Sequence, residues 1–287
     1  MNYKDIRYSE LDHVAHITID RPEVYNAFRP LTVEELIHAF QQAGWNTDIG
    51  AIVLAGAGKK AFCTGGDQSV HDQGSYSNDS GKVDRPSVSG ETGQSEAHHQ
   101  SLESRGTIGM PIEELHAIIR DVPKPVIAKV QGYAIGGGNV LATLCDMTLA
   151  GESAVFGQVG PKMGSVDPGF GTAYLSRVVG EKKAREIWFM CRRYSAQEAL
   201  EMGLVNKVVA DAELDKEVDS WCAELVQRSP TAIAIAKRSF NADSDNIKAI
   251  GGLGMHALKL YYDTAESQEG VAALKQKRQP EFRKFVK

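Results

Sequence analysis

PKPVIAKVQGYAIGGGN, residues 123–139, reads as a strand, a glycine-rich turn and the opening of a helix. The apolar, β-branched run from Pro125 to Gln131 has the length of a buried strand, and Gly136-Gly137-Gly138 precedes a helix. Glycine lets another group approach the main chain closely, and a helix N-terminus adds the positive end of the helix dipole. The turn Gly132–Asn139 therefore suits a developing negative charge. The same residues also describe a tight connection with no chemistry. A phosphate-binding P-loop is excluded, because no Lys-Ser or Lys-Thr follows the glycines and no GxGxxG runs into them.

Working outward, Val14 to Ile19 reads as a strand. Thr32 with Glu35 forms a capping-box pattern that is expected to open a helix carrying Val33, Leu36, Ile37 and Phe40 on one face. A second strand covers Ala51 to Ala55, and a second glycine-rich segment, AFCTGGDQ, follows at residues 61–68. A helix from Pro111 to Asp121 completes the approach to the central stretch. Repeated strand and helix units imply an α/β core. Residues 73–106 turn to Ser, Gly, Asp, Glu and His, the composition of a mobile surface loop, which is either a lid or a tolerated insertion. From Glu181 onward the pattern is helical, including Leu214 to Gln227 and Asp245 to Ala265. We expect a core over 1–210 and a helical region over 211–287.

The chain has 287 residues, enough for a large core without staples. Its formal net charge of −5 removes a general attraction to nucleic acid or to anionic membrane. The four cysteines, Cys63, Cys145, Cys191 and Cys222, show no paired spacing, so neither disulfides nor a zinc site is expected and a reducing cytoplasm is the simplest setting. No leader or membrane-spanning run is evident. Cys63 adjoins the second glycine segment but has no histidine near it in sequence to activate a thiol. His98-His99 lacks further ligands for a metal, and it is expected to be solvated like His71 and His116.

Taken together, Arg21-Pro22 with Asn26-Ala27-Phe28, then AFCTGGDQ, PKPVIAKVQGYAIGGGN and FGQVGPKMGSVDPGFG (residues 156–171), resemble the successive landmarks of the crotonase (enoyl-CoA hydratase/isomerase) superfamily. The resemblance implies a spiral of ββα units, a C-terminal helical trimerisation region and a trimer or dimer of trimers. It also implies an acyl-CoA thioester as substrate, with coenzyme A as part of it and no separate cofactor required. The oxyanion donors are expected to be the N–H groups of Gly66 and Gly137. The thioester pocket is expected to include Val24, Ala27, Thr64, Gly65, Asp67 and Gln68.

In the hydratases of this superfamily, catalytic glutamates lie just after the GGG turn and just after the FGQ motif. This chain has Val140 and Gly160 there, so simple enoyl-CoA hydration is not expected. Ser165, Asp167 and Tyr262 instead resemble residues at the reacting end of a branch holding the ring-opening 2-ketocyclohexanecarboxyl-CoA hydrolases and the 1,4-dihydroxy-2-naphthoyl-CoA synthases. Read alone, Asp167 is equally a turn-forming acid before Pro168-Gly169, and Tyr262 a packed helix tyrosine; Tyr261 is expected to pack.

Asn139 after GGG, and Asp167-Pro168-Gly169-Phe170, are closer to the hydrolase, whose reaction takes 2-oxocyclohexane-1-carboxyl-CoA to pimeloyl-CoA. The long polar insertion departs from that pattern and leaves Tyr76 loosely like a synthase loop tyrosine. Gln158, Gly160 and Trp188 match positions that surround a bicarbonate in one class of synthases. Here they imply a bicarbonate site, a water site, or plain packing at Trp188. A non-catalytic scaffold of the same fold is the competing reading from another class.

Overall fold

The computed structural model describes residues 2–67 and 106–286. The fold starts with a hairpin of β1 (Ile6–Leu11) and β2 (Val14–Ile19). Asp12 and His13 between them both sit at positive φ, 48° and 65°, the twist a two-residue hairpin turn requires. Along β2, Ala15, Ile17 and Ile19 are fully buried while His16 and Thr18 are less so, the period-two signature of a sheet with one covered face.

Helix α1 (Pro30–Trp45) corrects one expectation. Thr32 is the third helical residue and not the cap: its Oγ1 accepts the Arg29 N–H at 3.1 Å. Pro30 begins the helix because the first turn needs no N–H from it. Glu35 does not reach back within its own helix. Its carboxylate accepts the N–H groups of Lys4 and Asp5, each at 2.8 Å, and ties the N-terminal strand to α1.

From there the chain alternates between two sheets. Strands β3 (Ala51–Gly56) and β4 (Ala61–Cys63) precede α2 (Ile112–Asp121); β5 (Val126–Val130) and β6 (Tyr133–Ile135) precede α3 (Gly137–Leu144). Then come β7 (Met147–Gly151), β8 (Val155–Gly157) and the short α4 (Gly160–Met163). A π-helical turn at Phe170–Tyr174 leads through α5 (Leu175–Val179) into α6 (Glu181–Met190).

With two later strands, β9 (Tyr194–Ser195) and β10 (Lys207–Val209), the larger sheet has the order β1-β2-β3-β5-β7-β10 and the smaller β4-β6-β8-β9. Each ββα unit thus gives its first strand to one sheet and its second to the other, and parallel pairing within each sheet stacks the units into a spiral. The run after Glu181 is not helical throughout, because β9 (Tyr194–Ser195), α7 (Ala196–Glu201) and β10 (Lys207–Val209) close the two sheets first. Helices α8 (Leu214–Leu225), α9 (Pro230–Ala242), α10 (Asn246–Tyr262) and α11 (Ala265–Lys275) follow.

These last helices are pinned to the spiral by buried polar contacts. Lys237 on α9 donates to the carbonyls of Ile119 and Lys124 at 3.0 and 2.9 Å, and to Asp146 Oδ2 at 2.6 Å. Burial pushes Asp146 up and Lys237 down, and each is drawn back by the other's charge. The Lys237 side chain is 6% exposed and that of Asp146 28%, so deleting the ammonium strips two main-chain carbonyls of their donor and leaves a partly solvated carboxylate without its cation. Lys237→Met is therefore expected to destabilise the fold by about 2 kcal/mol, read as a shift of the urea midpoint. An unchanged midpoint would show that the pair contributes nothing.

Candidate active site

The two glycine turns meet at one point. Gly65 sits at φ +88°; its carbonyl accepts the Phe28 N–H and the Asp67 N–H donates to the Phe28 carbonyl, both at 2.8 Å. Arg21 braces this loop, its guanidinium reaching Asp67 Oδ2 at 2.8 Å and the Ala27 carbonyl at 2.5 Å. Opposite, Gly136 at φ +57° donates to the Gly157 carbonyl at 2.9 Å and turns the chain into α3. Gly137 is the first residue of that helix, so no carbonyl within the helix can receive its N–H. The contact between the turns admits no side chain. A Cβ on Gly65 would lie 2.9 Å from the Gly137 nitrogen, and one on Gly137 would lie 2.8 Å from the Phe28 ring.

A cavity of about 330 Å³ opens over this junction. Gly66, Gly137, Ser165, Asp167 and Tyr262 all line it, as do Val24, Ala27, Thr64, Gly65, Asp67, Gln158, Gly160 and Trp188. Residues distant in sequence are thus brought to one place. Gln68, Tyr76, His71, His98-His99 and nearly all of the 73–106 loop lie outside the described residues. Sequence reasoning missed the apolar wall made by Ile108, Met110, Ile112, Met255, Leu258 and Val271. Helical periodicity marks such residues as buried but not as facing a cavity. Because α10 and α11 supply part of the wall, the C-terminal helices help to build the pocket.

Asp167 stands in the wall of this cavity. Its Oδ1 accepts the Gly171 N–H at 2.8 Å. Asp167 is itself partly exposed. Burial pushes its carboxyl up to about 7, the Glu113 charge adds to this, and the Gly171 hydrogen bond opposes it. Beside it, Tyr262 Oη and Ser165 Oγ share a hydrogen bond of 2.8 Å, and burial raises the phenol. Tyr261 packs half-buried against the core, as expected. Trp188 is buried with its indole N–H donated to the Gly171 carbonyl.

Neither position that holds a glutamate in the resembled hydratases could act as one here. Val140 is a core side chain. A Cβ on Gly160 would fall 2.5 Å from the Ser165 carbonyl oxygen and 2.8 Å from the Trp188 ring. Asn139 is fully buried and does not line the cavity; among the described residues its amide has no hydrogen-bond partner. The Cys63 thiol is buried and pushed up to about 12, which makes it a poor nucleophile. His116 is not solvated, contrary to expectation. It packs edge-on against Phe170, and burial pushes it down to about 3, so it is neutral. Among the described residues there is no cluster of His, Cys, Asp or Glu able to hold a metal ion, and no helix long and apolar enough to cross a membrane.

Two interleaved sheets in a ββα spiral, with paired glycine turns above an apolar cavity, define a crotonase-type α/β fold. The family profile for enoyl-CoA hydratase/isomerase matches residues 10–87 and 81–285, and the chain belongs to that family. It is accordingly an acyl-CoA-processing enzyme. Its structure is similar to that of an enoyl-CoA hydratase from Mycobacterium avium subsp. paratuberculosis K-10, with 25% identity, TM-score 0.79, and 98% of this chain and 99% of the other covered. An enoyl-CoA hydratase from Bacillus anthracis is 28% identical at TM-score 0.67, covering 97% and 99%. A carnitinyl-CoA hydratase from Mycobacterium avium is 26% identical at TM-score 0.75, covering 96% and 97%.

Proposed function

We propose that this enzyme opens a cyclic β-ketoacyl-CoA by hydrolysis, converting 2-oxocyclohexane-1-carboxyl-CoA to pimeloyl-CoA. The observation that carries this reading is Asp167, a pocket carboxylate raised toward neutrality, beside the Ser165–Tyr262 pair and with no carboxylate at Val140 or Gly160. The thioester oxygen sits at the N–H groups of Gly66 and Gly137. Asp167 takes a proton from water as the water oxygen bonds to the ring ketone carbon, and Tyr262 donates a hydrogen bond to the resulting alkoxide.

Collapse of the adduct re-forms a carbonyl and breaks the bond to the carbon next to the thioester. The electron pair moves into the thioester enolate, whose oxygen the two backbone donors stabilise. Protonation of that carbon gives the open-chain acid. Water is the only co-reactant, and the atoms balance. The apolar wall suits the methylene groups of the ring, and among the described residues lining the cavity none is Lys, Arg or His, which fits an acyl group without a charge.

Ring closure of o-succinylbenzoyl-CoA is the second reading, favoured by the buried Gln158 amide at the cavity wall beside Gly160. That corner suits a bicarbonate or a water. Against bicarbonate, the indole N–H of Trp188 is donated to the Gly171 carbonyl. Exposed Ile235 and Phe240 on α9 and Leu253 and Leu260 on α10 support self-association through the C-terminal helices, as a trimer or dimer of trimers.

Mass analysis of products tests the two reactions directly. With 2-oxocyclohexane-1-carboxyl-CoA we expect gain of one water. Loss of water from o-succinylbenzoyl-CoA, with or without bicarbonate, would replace ring opening by ring closure. No change in either substrate would withdraw both assignments and leave the acyl-CoA pocket.

A further inference from the structure

We propose that Trp188 and Gly171 are positioning residues that set how Asp167 presents its carboxylate to the cavity. Trp188 on α6 donates its indole N–H to the Gly171 carbonyl, and Gly171 in the π-helical turn donates its own N–H to Asp167 Oδ1. One carboxyl oxygen is held and the other is left for the substrate. The proposal rests on Asp167 being the base of the reaction argued above.

Two independent features point to this arrangement. The first is steric: a Cβ on Gly171 would meet Asp167 Cβ at 2.6 Å and its Cγ and Oδ1 at 2.8 Å, so only glycine lets the carboxyl come this close. Since Gly171 has an ordinary φ, backbone freedom does not explain a glycine there. The second is the turn itself. A π-helical turn displaces its peptide groups from α-helical pairing, and here Thr172 Oγ1 and the Asp167 carboxylate receive the N–H groups of Gly169 and Gly171. Trp188 donates to the carbonyl of the same residue. A buried tryptophan normally finds a partner for its N–H. In this position that partner fixes the residue that touches the base.

The ionisable groups facing Asp167 are Glu113 on α2 and Tyr262 on α10. Helix α2 also sets the neutral His116 and the Arg120 guanidinium against Phe170 of the same turn. None of these is altered by Trp188→Phe, which keeps an aromatic ring and deletes the N–H. The Gly171 hydrogen bond favours the ionised carboxylate, so loosening it raises the pKa of Asp167.

The test uses the full-length enzyme with carbon-13-labelled aspartate, in which the Asp167 carboxyl signal is assigned by its loss in Asp167→Asn. In Trp188→Phe the Asp167 titration midpoint is expected to rise by about half a unit to one unit. The acidic limb of kcat should move with it, with KM unchanged, so that kcat falls roughly three- to tenfold below the midpoint and recovers at high pH. A folded Trp188→Phe enzyme whose carboxyl midpoint does not move overturns the proposal. If that variant does not fold, Gly171→Ala replaces it and is expected to shift the midpoint the same way; an unmoved midpoint there also overturns it. A shifted carboxyl midpoint without turnover of the cyclic substrate supports the positioning role while removing the reaction assigned to the site.

Discussion

Asp167→Asn is expected to reduce turnover of the cyclic substrate by about 10³-fold, the scale of a lost general base, with thioester binding retained. The wild-type rate should rise with pH through about 7, because only the ionised carboxylate accepts the proton of water. In the variant that rise should be missing.

Stability should respond in the opposite direction. A carboxyl raised in the folded state contributes stability that is present below its unfolded value, near 3.8, and is lost as pH rises through about 7. Above 7 the charged Asp167 is a net cost to folding. Asn keeps an oxygen able to accept the Gly171 N–H and carries no charge. Its melting temperature should match or exceed wild type at pH 8, with the difference closing toward pH 4. Steady-state kinetics with thermal unfolding at both pH values checks each half. Full turnover in the variant would remove Asp167 from the chemistry.

Gly65→Ala is expected to cost about 10² to 10³ in kcat, comparable to losing one oxyanion donor. Its new Cβ would lie 2.9 Å from the Gly137 nitrogen and obstruct the N–H at the place where the thioester oxygen must approach. Backbone strain at φ +88° also destabilises the variant, so the comparison needs a matched control. Gly203 has φ +80°, and its nearest prospective contact is an ordinary 3.6 Å to the Val178 carbonyl oxygen. Gly203→Ala therefore carries similar strain without touching the site and should retain kcat. Equal losses in the two variants would attribute the effect to strain alone and withdraw the oxyanion role of this junction.

The parts of this architecture legible in the sequence are those governed by local chemistry. Val14–Ile19 and Ile112–Asp121 carry short, clear periodicities, Ala51–Gly56 is a short unbroken apolar run, and the glycines of 136–138 mark a helix start. Thr32 misled because a threonine three residues before a glutamate satisfies the capping pattern, while Pro30 had already started the helix. His116 misled because its apolar surroundings come from Phe170, which is distant in sequence. The cavity residues were gathered by resemblance to a family, and what the resemblance did not contain stayed hidden. The bond from Trp188 to Gly171 joins α6 to a π-helical turn, and no spacing announces it.

The crowding at Gly160 ties that position to the Asp167 carboxylate. Any side chain introduced there meets the Trp188 ring and the Ser165 carbonyl. Trp188 in turn is bonded to the residue that holds Asp167. A side chain at residue 160 therefore requires Trp188 or the Ser165 peptide to shift, and a shift of Trp188 reaches Asp167 through Gly171. The two positions are therefore coupled, and substitutions at them are not expected to act independently.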